Sequence, residues 1–149
     1  MKATLILHLE DKQGRFSIEG SGNSIEATKL NQLAEPMGLA KIRKGNLKSL
    51  DFKLAGNNNK TDGTVTVLYD DLKIDFLELD DEMQMNKKHF TSFISNVVLK
   101  NENPHNGETR IGEVHHERDM NRSFYNLIWK SIFEGINKTI GNKRKMKRP

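Results

Sequence analysis

The feature that most constrains this chain is a period of two. Ala3, Leu5, Leu7 and Leu9 share one parity, against Thr4, His8 and Glu10. Phe16, Ile18 and Gly20 alternate with Arg15, Ser17 and Glu19. The pattern returns at Leu50, Phe52 and Leu54, at Val65, Val67 and Tyr69, and at Leu72, Ile74 and Phe76. Successive side chains of a strand point to opposite faces, so these runs predict antiparallel strands with one apolar and one wet face. Between them stand turn residues. Asp11-Lys12-Gln13-Gly14 reads as a hairpin turn, and Ser21-Gly22-Asn23-Ser24 closes that unit. Lys44-Gly45-Asn46 reads as a bulge or turn, residues 56–63 as a loop, and Asp70-Asp71 as a short break.

Three segments change to a helical period. Residues 26–35 carry Leu30, Leu33 and Ala34 and are stopped by Pro36 and Gly38. Residues 87–99, capped by Asn86, carry Phe90, Phe93, Ile94, Val97 and Val98. Residues 121–140, capped by Asp119 or Asn121, carry Phe124, Ile128, Ile132, Ile136 and Ile140 at a spacing of four, flanked by Trp129 and Phe133. Gly141 sits at the C-cap position. Residues 110–117 read as one further strand. The expected fold is α+β: an antiparallel, twisted, groove-like meander with two or three helices, the last a long amphipathic C-terminal helix.

Charge separates the body from the tail. Five of the 24 Lys and Arg are Lys143, Arg144, Lys145, Lys147 and Arg148, leaving 19 against 20 Asp and Glu in residues 1–142. The formal +4 therefore belongs to the end of the chain. A single domain over residues 1–142 and a disordered basic tail over 143–149 are expected. Such a tail suits anionic lipid headgroups or nucleic-acid phosphates. It has no interleaved aromatic residue for base stacking, so nucleic acid is the less favoured partner. With no Cys, disulfides, thiolate zinc sites and Cys nucleophiles are excluded. Residues 1–10 lack the long apolar centre of a signal peptide, and no apolar run is long enough for a membrane helix.

Few residues suggest catalysis. Glu113-Val114-His115-His116-Glu117-Arg118-Asp119 is the densest cluster of ligating side chains. On a strand, His115 and Glu117 share a face and His116 points away, so a metal site needs ligands from elsewhere, such as His89 or His105. Asp70 and Asp71 likewise face opposite sides, and Asp80-Asp81-Glu82 lacks the calcium-loop pattern. Gly20-Ser21-Gly22 lacks the rest of a phosphate loop. No catalytic residue, metal or cofactor is assigned. A metal-dependent hydrolase using His105, His115, His116 and Glu117 is the weaker alternative, and a small basic nucleic-acid-binding protein using the tail is the other.

Three blocks, taken in order, resemble a known family. The first runs from Gly45-Asn46-Leu47 through Leu50–Asn57 to Asp62–Ile74. The second is Phe93-Ile94-Ser95-Asn96 followed by Asn103-Pro104, and the third is Arg118–Ile136. Across most of residues 20–148 the chain resembles the C-terminal region of AsmA-like envelope proteins of the Bacteroidetes type, which commonly finish with a basic tail. The resemblance implies a non-enzymatic part of a longer periplasmic chain, associated with the inner membrane. It implies a role in intermembrane lipid transport and outer-membrane biogenesis, with lipid, the membrane surface and other envelope proteins as partners. The candidate groove lining is Leu5, Leu7, Leu9, Phe16, Ile18, Leu50, Phe52, Leu54, Val65, Val67, Tyr69, Leu72, Ile74 and Phe76; the same residues also suit a plain core under the helices. Lys143, Arg144, Lys145, Lys147 and Arg148 are the candidates for an anionic surface. The first strand is expected to present an edge that further strands would pair with.

Overall fold

The computed structural model describes residues 1–36, 40–78, 92–94, 100 and 102–141. Its strands are β1 (Lys2–Leu7), β2 (Phe16–Glu26), β3 (Ala40–Gly56), β4 (Lys60–Glu78), β5 (Ser92–Ile94), β6 (Glu102–Asn103) and β7 (Gly112–Glu117). A 3-10 turn at Ala27–Leu30 leads into the short helix α1 (Asn31–Ala34), and α2 spans Phe124–Thr139. All seven strands form one antiparallel sheet in the order β1-β2-β3-β4-β5. The 19-residue β4 organises it. One edge of β4 pairs with β3, and the other pairs in turn with β7, β6 and β5. The α+β class and the antiparallel sheet are as expected.

The breaks are fewer than the turn residues suggest. β3 runs through Lys44-Gly45-Asn46, and β4 runs through Asp70-Asp71. The register slips between Ile42 and Lys44, between Lys44 and Asn46, and between Leu47 and Ser49. Gly45 at φ 143° and Asp71 at φ 52° take up the slip. A bulge accommodates an extra residue while the strand stays in the ladder, so turn-forming residues here bend two long strands without ending them. β2 likewise continues past Ser21–Ser24 to Glu26, and the β3–β4 loop shrinks to 57–59. The first hairpin turn is where it was expected, with Gly14 at φ 61° donating its N–H to the Asp11 carbonyl.

The helices also differ. The segment at 26–35 is a 3-10 turn followed by one turn of α-helix. Its Asn31 side chain brackets Ile42 of β3, donating to the carbonyl at 2.9 Å and accepting from the N–H at 2.7 Å. The expected helix at 87–99 is corrected at its centre. Ser92–Ile94 is a strand on Glu78–Phe76, and the rest of that segment lies outside the described residues. α2 has 16 residues rather than the 20 of a longer C-terminal helix. Ser123 is its cap, accepting the Asn126 N–H at 3.2 Å, while Asp119 and Asn121 belong to the preceding turn. Gly141 ends it at φ 82°, as expected of a C-cap glycine.

The helices lie on the apolar face of the sheet. Direct cross-strand partners share a face. The row Leu5–Ile18–Leu54–Gly63–Val114 crosses five strands, and the row Leu7–Phe16–Gly56–Thr61–His116 lies beside it. α2 packs on β4 and β7, and its Phe124 ring meets Phe16 edge-on at 4.8 Å. The α2 residues that bury most completely are not the isoleucine stripe alone. Leu127, Ser131, Gly135 and Thr139, also spaced by four, are buried with Ile128 and Ile132. Small residues let the helix approach the sheet closely. A Cβ on Gly135 would sit 2.4 Å from Val65 Cγ2, and a Cβ on Gly112 would sit 1.9 Å from the Gly135 carbonyl oxygen.

Candidate functional site

The apolar face changes character across the sheet. Phe16, Leu50, Phe52, Leu54, Val65, Val67, Tyr69, Leu72 and Ile74 are buried in one continuous core. For these nine candidates the open-groove expectation is corrected: helices, neighbouring strands and the rings of Phe16 and Phe52 close the space above them. The Phe52 ring covers Gly20, where a Cβ would approach to 2.4 Å. Ile18 is half-buried against this core. The side chain of Phe76 lies outside the described residues. Beyond Ile18 the face opens: Leu5 is 45 % exposed, Leu7 49 % and Leu9 89 %. Ile6, on the other face of β1, is exposed as well. An apolar row thus leaves the core at Leu54, crosses Ile18 and ends on solvent-facing Leu5. β1 pairs with β2, and no other strand among the described residues covers its outer edge.

The opposite face of the sheet is polar. It holds a shallow concavity of about 440 Å³ whose lining includes Lys2, Thr4, Glu19, Asp51, Lys53 and Thr64. Charges of both signs alternate there, so it presents no single-sign field.

At the far edge, β7 and α2 are joined by polar contacts. His116 lies on the helix-covered face, in the row with Thr61 and Gly56, and its Nδ1 is 3.0 Å from Glu134 Oε2. Glu134 Oε1 accepts the His115 backbone N–H at 3.1 Å and Lys138 Nζ at 3.0 Å. His115 points to the wet face, with Nδ1 2.9 Å from Asp62 Oδ1, which agrees with the opposed orientation expected on a strand. Glu134 and Lys138 were not singled out by sequence reasoning; their spacing of four on one helix is the signal. Burial works to raise the Glu134 pKa. The bonds from His116, the His115 N–H and Lys138 outweigh it and hold the carboxyl down at about 2.

A pH dependence follows from this depressed acid. The stabilisation is complete above the ordinary glutamate value of 4.5 and is lost as pH falls from there toward about 2. At neutral pH it amounts to about 2–3 kcal/mol. Urea unfolding of wild type and Glu134→Gln across this range is expected to show a stability difference that narrows on acidification. A constant difference would contradict it.

Among the described residues the histidines do not converge on one site. His105 Nδ1 is 2.7 Å from Glu102 Oε1, beside β6, which pairs with β4 at Tyr69. His116 pairs with Thr61 of β4, and the eight residue steps from Thr61 to Tyr69 span about 25 Å. His89 lies outside the described residues. Among the described residues, no three His, Asp or Glu side chains are placed to hold a metal ion. Asp70 and Asp71 each face a lysine of β3: Asp70 pairs with Lys48 at 2.9 Å, and Asp71 with Lys44.

A second polar cluster ties the end of α2 to β4 and β6. Asn103 is fully buried; its Nδ2 donates to the carbonyls of Val67 at 2.6 Å and Arg110 at 3.1 Å, and its Oδ1 accepts the Arg110 N–H at 2.8 Å. The Arg110 guanidinium donates to the Thr139 carbonyl at the α2 terminus and to Tyr69 Oη. Tyr69 in turn donates to the Lys100 carbonyl at 2.7 Å. Burial raises the Tyr69 pKa, and the Arg110 bond only partly opposes it, so the Tyr69 hydroxyl stays protonated at neutral pH.

The tail candidates Lys143, Arg144, Lys145, Lys147 and Arg148 lie outside the described residues. Among the described residues no helix is long and apolar enough to cross a membrane. Compared with known proteins, the chain matches no family model, no curated protein and no solved structure.

Proposed function

We propose that this chain is a non-enzymatic envelope module, similar to the C-terminal region of AsmA-like proteins, that supports lipid movement between membranes. The observation that carries the reading is the apolar row running from buried Leu54 through Ile18 to exposed Leu5. One end of the apolar face is closed by α2, and the other opens at the edge of the sheet. An apolar strip of this form gives an acyl chain a surface to lie on. The near-neutral body and the five cations at 143–148 complement it by drawing the module to anionic headgroups. The ordered blocks at 45–74, 93–104 and 118–136 support a periplasmic place within a longer, inner-membrane-associated chain.

The test is mass spectrometry of lipid extracted from the purified protein. Co-purifying phospholipid is expected, and Leu5→Asp with Leu7→Asp is expected to lower the amount at least about fivefold, since a charge cannot share the strip with an acyl chain. A lipid-free wild type would sink the reading. Deleting residues 143–149 is expected to weaken vesicle binding in a salt-dependent way and to leave extracted lipid unchanged.

A further inference from the structure

The geometry points to a second copy of this chain as the partner of the β1 edge that no other described strand covers, joined antiparallel about a two-fold axis at Leu5. Hydrogen-bond parity is the first support. The His8 N–H bonds to the Arg15 carbonyl at 3.1 Å, and the β1–β2 register is unbroken from Leu7↔Phe16 to Lys2↔Ser21. Hydrogen-bonded pairs alternate along an antiparallel ladder, so the even residues of β1 bond to β2. The N–H and C=O groups of Ala3, Leu5 and Leu7 therefore point outward.

The edge also lacks the usual protections. β1 contains no proline and no bulge, and its one charge is Lys2 at the start. The third support is self-complementarity. Met1, Ala3, Leu5, Leu7 and Leu9 are all apolar and are centred on Leu5. A two-fold axis there sets Leu5 against Leu5, Ala3 against Leu7 and Met1 against Leu9. Those are the residues whose backbone groups face outward, so one register pairs apolar side chains and satisfies donors and acceptors together. The two-fold axis stands perpendicular to the sheet and keeps both α2 helices on the same side. The row Leu54–Ile18–Leu5 then continues into the same row of the second copy. This inference stands on the edge alone and not on the lipid reading.

One strand per copy is a small interface, of about 1,000 Å² or less, so sedimentation equilibrium is run from about 10 µM to about 1 mM. The wild-type mass is expected to rise from 17.1 kDa toward twice that value. Leu5→Lys sets two lysines face to face and is expected to stay monomeric throughout. Leu5→Pro is expected to do the same, because it removes an outward N–H and leaves the bonds to β2 in place. Hydrogen exchange on the wild type needs no variant to fold. Protection of the Ala3, Leu5 and Leu7 amides is expected to rise with concentration, while Thr4 and Ile6 stay protected at every concentration. A monomer at about 1 mM, a species larger than a dimer, or concentration-independent exchange would each overturn the inference. A monomer that carries phospholipid would overturn it and leave the lipid reading standing.

Discussion

Replacing Gly135 with alanine is expected to destabilise the fold by about 3 kcal/mol, a fall in Tm of roughly 10 °C. The sign is the informative part. In an exposed helix interior the same change stabilises by about 1 kcal/mol, because alanine loses less backbone freedom and prefers the helix. Here the added Cβ would meet Val65 Cγ2 at 2.4 Å, Val65 Cβ at 2.5 Å and Val114 Cγ2 at 3.0 Å. Val65 and Val114 are fully buried, so neither has room to retreat. The helix must lift instead. That stretches the contacts of Thr139, whose hydroxyl lies 3.0 Å from the Val65 carbonyl, and of Arg110 with the Thr139 carbonyl at 2.9 Å. Thermal unfolding followed by circular dichroism reads the change. A Gly135→Ala protein as stable as wild type, or more so, would show that α2 does not sit this close to β4 and β7.

That close approach also marks the limit of what periodicity can reveal. The spacing of Phe124, Ile128, Ile132, Ile136 and Ile140 identifies a helix with an apolar side. Leu127, Ser131, Gly135 and Thr139 are buried as well, three of them small or polar, and Gly135 and Thr139 touch Val65 of the sheet. Apolarity reports what a helix hides from water; size reports how near it can come. The strands show the same division. Alternation over 50–54, 65–69 and 72–74 placed the side chains on their faces, because the period of two is a property of the backbone. It did not reveal that 50–54 belongs to a strand beginning at Ala40, nor that 65–69 and 72–76 are one strand. Gly45 suits a bulge or a turn and Asp71 a short break, and the pairing with the partner strand decides for a bulge at Gly45 and for a strand that continues through Asp71. At residues 92–94 the apolar pair Phe93-Ile94 fits either period, and pairing with Phe76–Glu78 decides for the strand.

The candidate site was legible in part for a similar reason. A face can be predicted from one strand, but its exposure depends on what packs above it. Leu54 and Leu5 share a row and a residue type, yet Leu54 lies between β2 and β4 in the core while Leu5 stands on the last strand. The separation of His115 from His116 followed from strand geometry alone. The partner of His116 did not, because Glu134 comes from a helix 18 residues further on.

Asn103→Ala is the second large effect, expected to cost about 3 kcal/mol in urea unfolding. The sequence places this residue in a turn before Pro104, where a polar side chain would ordinarily meet water. It is instead fully buried, and its amide makes three hydrogen bonds to backbone groups of two segments. Truncation leaves the Val67 carbonyl, whose bond is fully buried, and the part-buried Arg110 carbonyl and N–H without this partner. A buried group that loses its only partner costs more than the bond itself contributed. Asn103→Asp is a sharper probe. It keeps an acceptor for the Arg110 N–H but turns a carboxylate toward two carbonyl oxygens, so it is expected to destabilise at least as much as alanine. Because Asn103 fixes the Arg110 backbone, and the Arg110 side chain holds Tyr69 and the end of α2, the two positions should not act independently. A double-mutant cycle between Asn103→Ala and Arg110→Ala is expected to give a coupling energy of about 1 kcal/mol or more. Additive losses would mean that the Asn103 contacts and the Arg110 contacts stabilise separate parts of the fold.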